Sequence, residues 1–172
     1  PSAPDNQIFL HAVADKKTAV IGEQVTVSFY IYFRVSFREP EARNAPFTDF
    51  RQVPLLANPG TEPDRKAKVG KDVFHVKLLD KVALFPLRAG ELHTGSRWSR
   101  VFSTRLGGNT ERRSEDLTIT VTEPPAAGRP PGYRVGDVGQ FALTATVEPR
   151  KVDQGSGTAV TLKVAGNGNF PE

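Results

Sequence analysis

Val25-Thr-Val-Ser-Phe-Tyr-Ile-Tyr-Phe-Arg-Val-Ser-Phe37 is the stretch that decides the fold class. Its odd positions are all apolar: Val25, Val27, Phe29, Ile31, Phe33, Val35 and Phe37. Its even positions are Thr26, Ser28, Tyr30, Tyr32, Arg34 and Ser36. Successive strand side chains point to opposite faces, so strict alternation means one buried face and one wet face, as in an antiparallel sheet. At about 3.3 Å per residue the run exceeds a usual strand, which predicts a bend, bulge or break inside it.

Shorter strands are predicted on both sides. Ile8 to Ala14 precedes a turn at Asp15–Lys17; Phe74, Val76 and Leu78 alternate, and Val82 and Leu84 continue the same parity. Arg97 to Thr104 carries Trp98, Val101 and Phe102, whose broken alternation predicts a bulge. Leu117, Ile119 and Val121 alternate cleanly. Asn58-Pro59-Gly60, Ala89-Gly90 and Gly107-Gly108-Asn109 are turn formers, the last suited to a hairpin loop. No stretch keeps helical spacing over three turns. Many short strands with such turns predict an all-β, immunoglobulin-like β-sandwich.

Glu123-Pro-Pro-Ala-Ala-Gly-Arg-Pro-Pro-Gly-Tyr133 reads as a linker, because its four prolines remove ladder donors and favour a stiff, extended connection. The residues beyond this linker repeat the start of the chain. Phe9-Leu-His-Ala-Val-Ala-Asp15 and Gly22-Glu-Gln-Val25-Thr-Val27 correspond to Phe141-Ala-Leu-Thr-Ala-Thr-Val-Glu148 and Gly155-Ser-Gly-Thr-Ala-Val160-Thr-Leu162. Each copy is a strand, an acidic turn, a glycine corner and a second strand, which implies tandem domains. The expected division is a sandwich domain over 1–123, a linker over 124–137 and the first strands of a second immunoglobulin-like domain over 138–172. About 35 residues are too few for a seven-stranded sandwich. The second domain is therefore expected to be cut short, with self-association through exposed strand edges as one way to cover it.

Composition excludes some chemistry and leaves other questions open. There is no Cys and no Met, and the net charge is +4. Without Cys there are no disulfides and no thiolate metal sites. Without an initial Met, the numbering is expected to start downstream of a translation start. No apolar run approaches the roughly 20 residues of a membrane helix, so the piece reads as soluble. Charge is mixed throughout, which favours a solvated surface over nucleic-acid binding.

Catalytic patterns are missing. His11, His75 and His93 fall on separate predicted strands without His-x-His or His-x-x-x-His spacing. No Gly-x-Ser-x-Gly elbow supports a hydrolytic triad. Gly136-Asp-Val-Gly139 and Gly166-Asn-Gly-Asn169 lack the Gly-Lys-Ser/Thr ending of a phosphate loop and read as turns. Asp153 near Gly155 has too few carboxylate neighbours for calcium. The chain is expected to be non-enzymatic, with no cofactor and no metal.

Two surface features suggest binding. Tyr30 and Tyr32 share the wet face of the long strand beside Arg34, a composition common at interface hot spots; a covering segment is the equally weighted alternative. Arg97, Arg100, Arg105, Arg112 and Arg113 surround Trp98 and the Gly107-Gly108 turn, suited to an acidic partner or an anionic lipid surface. Glu111, Glu115 and Asp116 favour a salt-bridged wet face instead. The candidate partner-binding residues are thus Tyr30, Tyr32, Arg34, Trp98 and Arg100.

Four stretches resemble the BatD family, the Bacteroides aerotolerance or oxygen-tolerance proteins. They are Val13-Ala-Asp-Lys-Lys with Val20-Ile-Gly-Glu-Gln-Val-Thr-Val27; Leu84-Phe-Pro-Leu-Arg-Ala-Gly-Glu-Leu92; Pro125-Ala-Ala-Gly-Arg-Pro-Pro131 running into Val138-Gly-Gln-Phe141; and Val164-Ala-Gly-Asn-Gly-Asn169. The resemblance implies a periplasmic ectodomain anchored in the inner membrane by a segment further on. It also implies work beside von Willebrand A-domain proteins, TPR proteins and a MoxR-type ATPase in stress tolerance. The expected function is a protein-interaction or scaffold module. The alternative is a carbohydrate-binding or adhesive immunoglobulin-like module, with Tyr30, Tyr32 or Trp98 as the aromatic platform.

Overall fold

The alternating run folds as a strand that two hydrophobic clusters share. The computed structural model describes residues 7–43, 46–57, 63–129, 131–136 and 138–169. In it, Val25–Phe33 forms β3, with Val25, Val27, Phe29 and Ile31 all at most 2 % exposed. The run ends at Phe33, short of Phe37, so the expected break is present. One layer is built on β3 from β1 (Ile8–Ala14), β5 (Phe50–Pro54), β6 (Arg65–Val69) and β7 (Asp72–Pro86). Its order is β1-β3-β7-β5, antiparallel throughout, with β6 also paired to β7. The Asn58–Gly60 turn lies outside the described residues.

The facing layer comprises β2 (Thr18–Val20), β4 (Arg38–Arg43), β8 (Gly90–His93), β9 (Trp98–Ser103), β10 (Gly108–Arg113) and β11 (Thr118–Thr122). It divides into the orders β10-β9-β4 and β2-β11-β8, with β2 parallel to β11. The division is local. Ser103 faces Gly108, Trp98 faces Arg113 and His93 faces Thr118, all in one register. Between the pieces, the Ser114 N–H donates to the Arg97 carbonyl at 2.8 Å and the Thr94 N–H to the Leu117 carbonyl at 3.0 Å. β8–β9 and β10–β11 are therefore two arms of one bent ribbon. At the bend the inward parity changes, from Leu92 and Thr94 to Arg97, Ser99 and Val101. Gly95, at φ +69°, occupies the left-handed conformation that this reversal requires.

The result is an all-β fold of antiparallel sheets packed face to face. One core cluster joins Val27, Phe29 and Leu84 to Leu92, Ile119 and Val121; the other joins Leu10, Ile31 and Leu79 to Val101. Leu79 enters the second cluster through a bulge: Phe29 faces Asp80 and Tyr30 faces Leu78, leaving Leu79 as the extra residue. The extra residue reverses the pleat. Phe74, Val76 and Leu78 consequently do not share a face with Val82 and Leu84, contrary to the parity read from sequence. Leu78 and Val76 line a small outer pocket with Tyr30, while Val82 and Leu84 are in the core.

At the junction of the clusters lies a mostly buried ion pair, Arg97 Nη1 to Asp80 Oδ2 at 2.6 Å, with side chains 9 % and 18 % exposed. The Arg97 guanidinium also lies over the Phe29 ring at 5.5 Å. One side of the pair sits at the ribbon bend, the other at the β7 bulge.

Glu115 plays a comparable role at the sheet edge. Its carboxylate accepts the outward Ala12 N–H at 3.0 Å and a hydrogen bond with His11 Nδ1 at 2.9 Å. Arg112 Nε donates to the Ile8 carbonyl at 3.0 Å on the same edge. Side chains thus occupy two of the backbone groups that β1 turns away from β3, one of the ways natural sheets blunt an edge. Partial burial alone would raise the Glu115 carboxyl, but the Ala12 and His11 hydrogen bonds outweigh it and hold the group below its ordinary value of 4.5.

Beyond the Pro-rich segment, β12 (Gly139–Glu148) and β13 (Ala159–Gly168) form a two-stranded ribbon in continuous register. Among the described elements these two pair only with each other. One face carries Phe141, Leu143, Val147, Val160, Leu162 and Val164, which are 38–67 % exposed. The first member of each sequence repeat pairs antiparallel with the strand after the glycine corner, β1 with β3 and β12 with β13. Gly22, at φ +81°, turns the first corner, and Gly136 approaches it so closely that a Cβ on Gly22 would lie 2.4 Å from Gly136 Cα.

Two measurements check these contacts. Asp80→Ala strands the Arg97 charge in the core and lowers unfolding free energy by about 3–5 kcal/mol in urea titrations; the double variant Arg97→Met/Asp80→Leu recovers most of that loss. A loss below about 1 kcal/mol for the single variant would contradict the role assigned to the pair. For Glu115 the folded value is depressed, so its contribution is present above the unfolded value and is lost as pH falls from about 4.5 through the folded value. Glu115→Gln removes that part of the acid dependence and leaves the rest of the acid titration unchanged.

Candidate functional site

Strand β9 inverts the usual placement of residue types. Its alternation is regular, with Ser99, Val101 and Ser103 buried and Trp98, Arg100 and Phe102 outward. The bulge expected in this stretch is instead in the partner strand, where the register of β4 shifts between Arg38 and Glu41. Trp98, Val101 and Phe102 look irregular in sequence because two aromatics occupy the wet side and two serines the inner side. Of the two inner serines, Ser103 is satisfied, its hydroxyl donating to the Ser36 carbonyl at 2.8 Å, while the buried Ser99 Oγ has no hydrogen-bond partner among the described residues. A large outward aromatic is informative in a way that an outward polar residue is not.

Pairing on both sides of β9 arranges this face in three rows. Trp98 lies between Arg113 and Arg43, Arg100 between Glu111 and Glu41, and Phe102 between Asn109 and Arg38. The Arg43 and Arg100 guanidinium carbons lie over the Trp98 ring at 5.5 and 6.0 Å, and that of Arg38 over Phe102 at 5.4 Å. Such contacts contribute about 0.5–1 kcal/mol each at exposed positions and hold the planar cation against the ring. Arg100 also meets Glu111 at 3.1 Å and Glu41 at 3.9 Å. Arg38, Arg43 and Arg113 have no carboxylate partner among the described residues. The strip therefore presents preoriented guanidinium groups whose N–H edges are available for hydrogen bonding.

Of the five residues read from sequence, Trp98 and Arg100 are in this strip. The other three lie on the opposite layer. Tyr32 stacks on Phe9 with ring centroids 4.7 Å apart and meets Phe74 at 6.4 Å. Burial, with lesser contributions from Tyr30 and Glu115, raises its hydroxyl above the ordinary value of 10.0. Arg34 lies over the Phe74 ring and pairs with Asp72 at 2.9 Å. Tyr30 borders a small outer pocket with Pro63 and Arg65. Both tyrosines are half-buried, so the wet face expected for them is largely covered by their neighbours. Sequence reasoning does not single out Arg38, Arg43 or Phe102. The signal for Phe102 is the inverted alternation of Trp98-Ser-Arg-Val-Phe-Ser103, whereas Arg38 and Arg43 reach the strip only through strand pairing.

The remaining candidates separate. His11 bonds Glu115, His93 bonds Asp116 at 3.0 Å, and His75 stacks on Phe33 at 5.4 Å. Among the described residues no three metal-ligating side chains converge. No helix among them is long and apolar enough to cross a membrane. A groove of about 610 Å³ runs between β1 and β11, lined by Val13, Lys17, Thr118 and Thr120 among others. Within Gly136–Gly139, Asp137 lies outside the described residues.

Paired substitutions on β9 test the inverted face. Phe102→Ser changes stability by less than about 1 kcal/mol, whereas Val101→Ser, one residue away and fully buried, costs about 2–4 kcal/mol by leaving a cavity and a buried hydroxyl. Equal losses in thermal or urea unfolding would mean that Phe102 is a core residue. No protein-family model matches the chain, and no curated protein sequence matches it.

Proposed function

We propose that the chain is a non-catalytic, immunoglobulin-like interaction module of a BatD-like envelope protein. In this reading it acts in the periplasm beside von Willebrand A-domain and TPR proteins and a MoxR-type ATPase, in stress tolerance. The observation that carries the interaction role is the outward Trp98–Arg100–Phe102 strip, flanked by Arg38, Arg43 and Arg113. Aromatics and arginines together are the composition of interface hot spots, combining large rigid contact area with directional hydrogen bonding. The immunoglobulin-like assignment draws support from strand order. β1-β3-β7-β5 corresponds to an A-B-E-D layer, and β4-β9-β10 to a C-F-G layer. Membership of the envelope complex rests on the four stretches that resemble the BatD family.

A carbohydrate platform has less support. Sugar stacking needs an open aromatic face, and two guanidinium groups lie against Trp98. Tyr32 is likewise engaged by Phe9.

Co-purification from detergent-solubilised membranes tests the proposal. The tagged full-length protein retains its neighbouring von Willebrand A-domain protein, and Trp98→Ser/Phe102→Ser reduces retention by about fivefold or more. The variant still unfolds cooperatively, its melting temperature lowered by the loss of three cation–π contacts. Wild-type levels of capture by the variant would remove this strip as the contact. No capture by the wild type would end the envelope-complex reading.

A further inference from the structure

We infer that the β4–β9–β10 strip docks an extended acidic peptide segment whose carboxylates are four residues apart, a deepening of the interaction-module reading. Charge along the strip is patterned. The first row offers Arg113 and Arg43 around Trp98, the third offers Arg38 beside Phe102, and the middle row holds two carboxylates to one guanidinium. Two anion-accepting rows are thus separated by a row of net charge −1.

Strand geometry sets the spacing. Trp98 and Phe102 are four residues apart on β9, so their rows lie about 13 Å apart, with the Arg100 row halfway. An extended peptide running along β9 has the same repeat, and its side chains at i, i+2 and i+4 fall on one face. Acidic residues at i and i+4 meet the outer arginines. A basic residue at i+2 meets Glu41 and Glu111.

Preorganisation favours binding at the outer rows. Arg43 and Arg38 already lie against Trp98 and Phe102, and neither has a carboxylate partner among the described residues. A guanidinium held by its face keeps its N–H fork free for bidentate contact with a carboxylate. A uniformly anionic surface fits less well, because its charge would also fall on Glu41 and Glu111, and like charges brought together are penalised. The patterned strip therefore discriminates against phospholipid headgroups and polyanionic glycans.

Trp98 is the only tryptophan, so intrinsic fluorescence of the unlabelled chain reports on the strip. The probe is the capped peptide Ser-Glu-Ser-Lys-Ser-Glu-Ser, compared with its isomer Ser-Glu-Ser-Glu-Ser-Lys-Ser, with heparin and with phosphatidylglycerol vesicles at matched ionic strength. The first peptide gives a saturable change in emission. The isomer, and the Arg38→Gln/Arg43→Gln/Arg113→Gln variant at unchanged melting temperature, each bind at least about tenfold more weakly. No saturable change, equal binding of the isomer, or tighter binding of heparin or vesicles would overturn the inference. If partner capture depends on Trp98 and Phe102 while the peptide fails, only the peptide chemistry falls. If the peptide binds as described but the partner is not captured, the envelope-complex reading falls alone.

Discussion

The ion pair between Arg97 and Asp80 is the constraint on which the two-layer arrangement depends. Arg97 sits where the β8–β9 arm bends and its inward parity changes, and Asp80 adjoins the extra residue Leu79. The bend and the bulge are complementary irregularities, one in each layer, and the pair joins them between the two hydrophobic clusters. A charge removed from water is tolerated only when paired and hydrogen-bonded, so the contact restricts how the layers can slide past one another. Hydrophobic contact alone carries no such directional preference. Phe29, beneath the Arg97 guanidinium, ties the same point to β3.

That constraint has a consequence at the surface. Once the ribbon changes parity near Gly95, Ser99, Val101 and Ser103 must point inward and Trp98, Arg100 and Phe102 outward. The aromatic–arginine strip is therefore a product of the bend. Without the parity change, Trp98 and Phe102 would face the core and the serines would face water. The register of β9 against β4 and β10 then gathers arginines that lie far apart in the chain, Arg38 and Arg43 on one side and Arg113 on the other.

Legibility in the sequence follows the range of the physics involved. β3 is plain because strand alternation is a local property, and Val25 to Ile31 shows it in strict form. The Gly107 turn is legible only in part. Gly107 takes the left-handed backbone at φ +81° that favours glycine, but Gly108 and Asn109, read as loop, are paired in β10 with Ser103 and Phe102, and the loop itself is Thr104–Gly107. The parity that appears to continue from Phe74 to Leu84 misleads, because Leu79 has no local feature that marks it as a bulge. Composition alone points to Trp98 and Arg100, but it also credits Tyr30 and Tyr32 with a wet face that Phe9, Phe74 and Val76 partly cover. No pattern within β3 reveals which residues of β1 and β7 lie beside it.

By itself, then, the sequence determined the class: an all-β chain with antiparallel strands, glycine turns and a repeated strand–turn–strand unit beyond a Pro-rich segment. These features come from residue-level preferences for backbone geometry and from period-two burial, both set by near neighbours. Only the tertiary structure decided which face each strand presents. Facing depends on the Leu79 bulge and the parity change at Gly95, and on the Arg97–Asp80 contact that joins them. A single added residue transfers every later side chain to the other side of the sheet. The surface available to a partner was thereby fixed by contacts between residues distant in sequence.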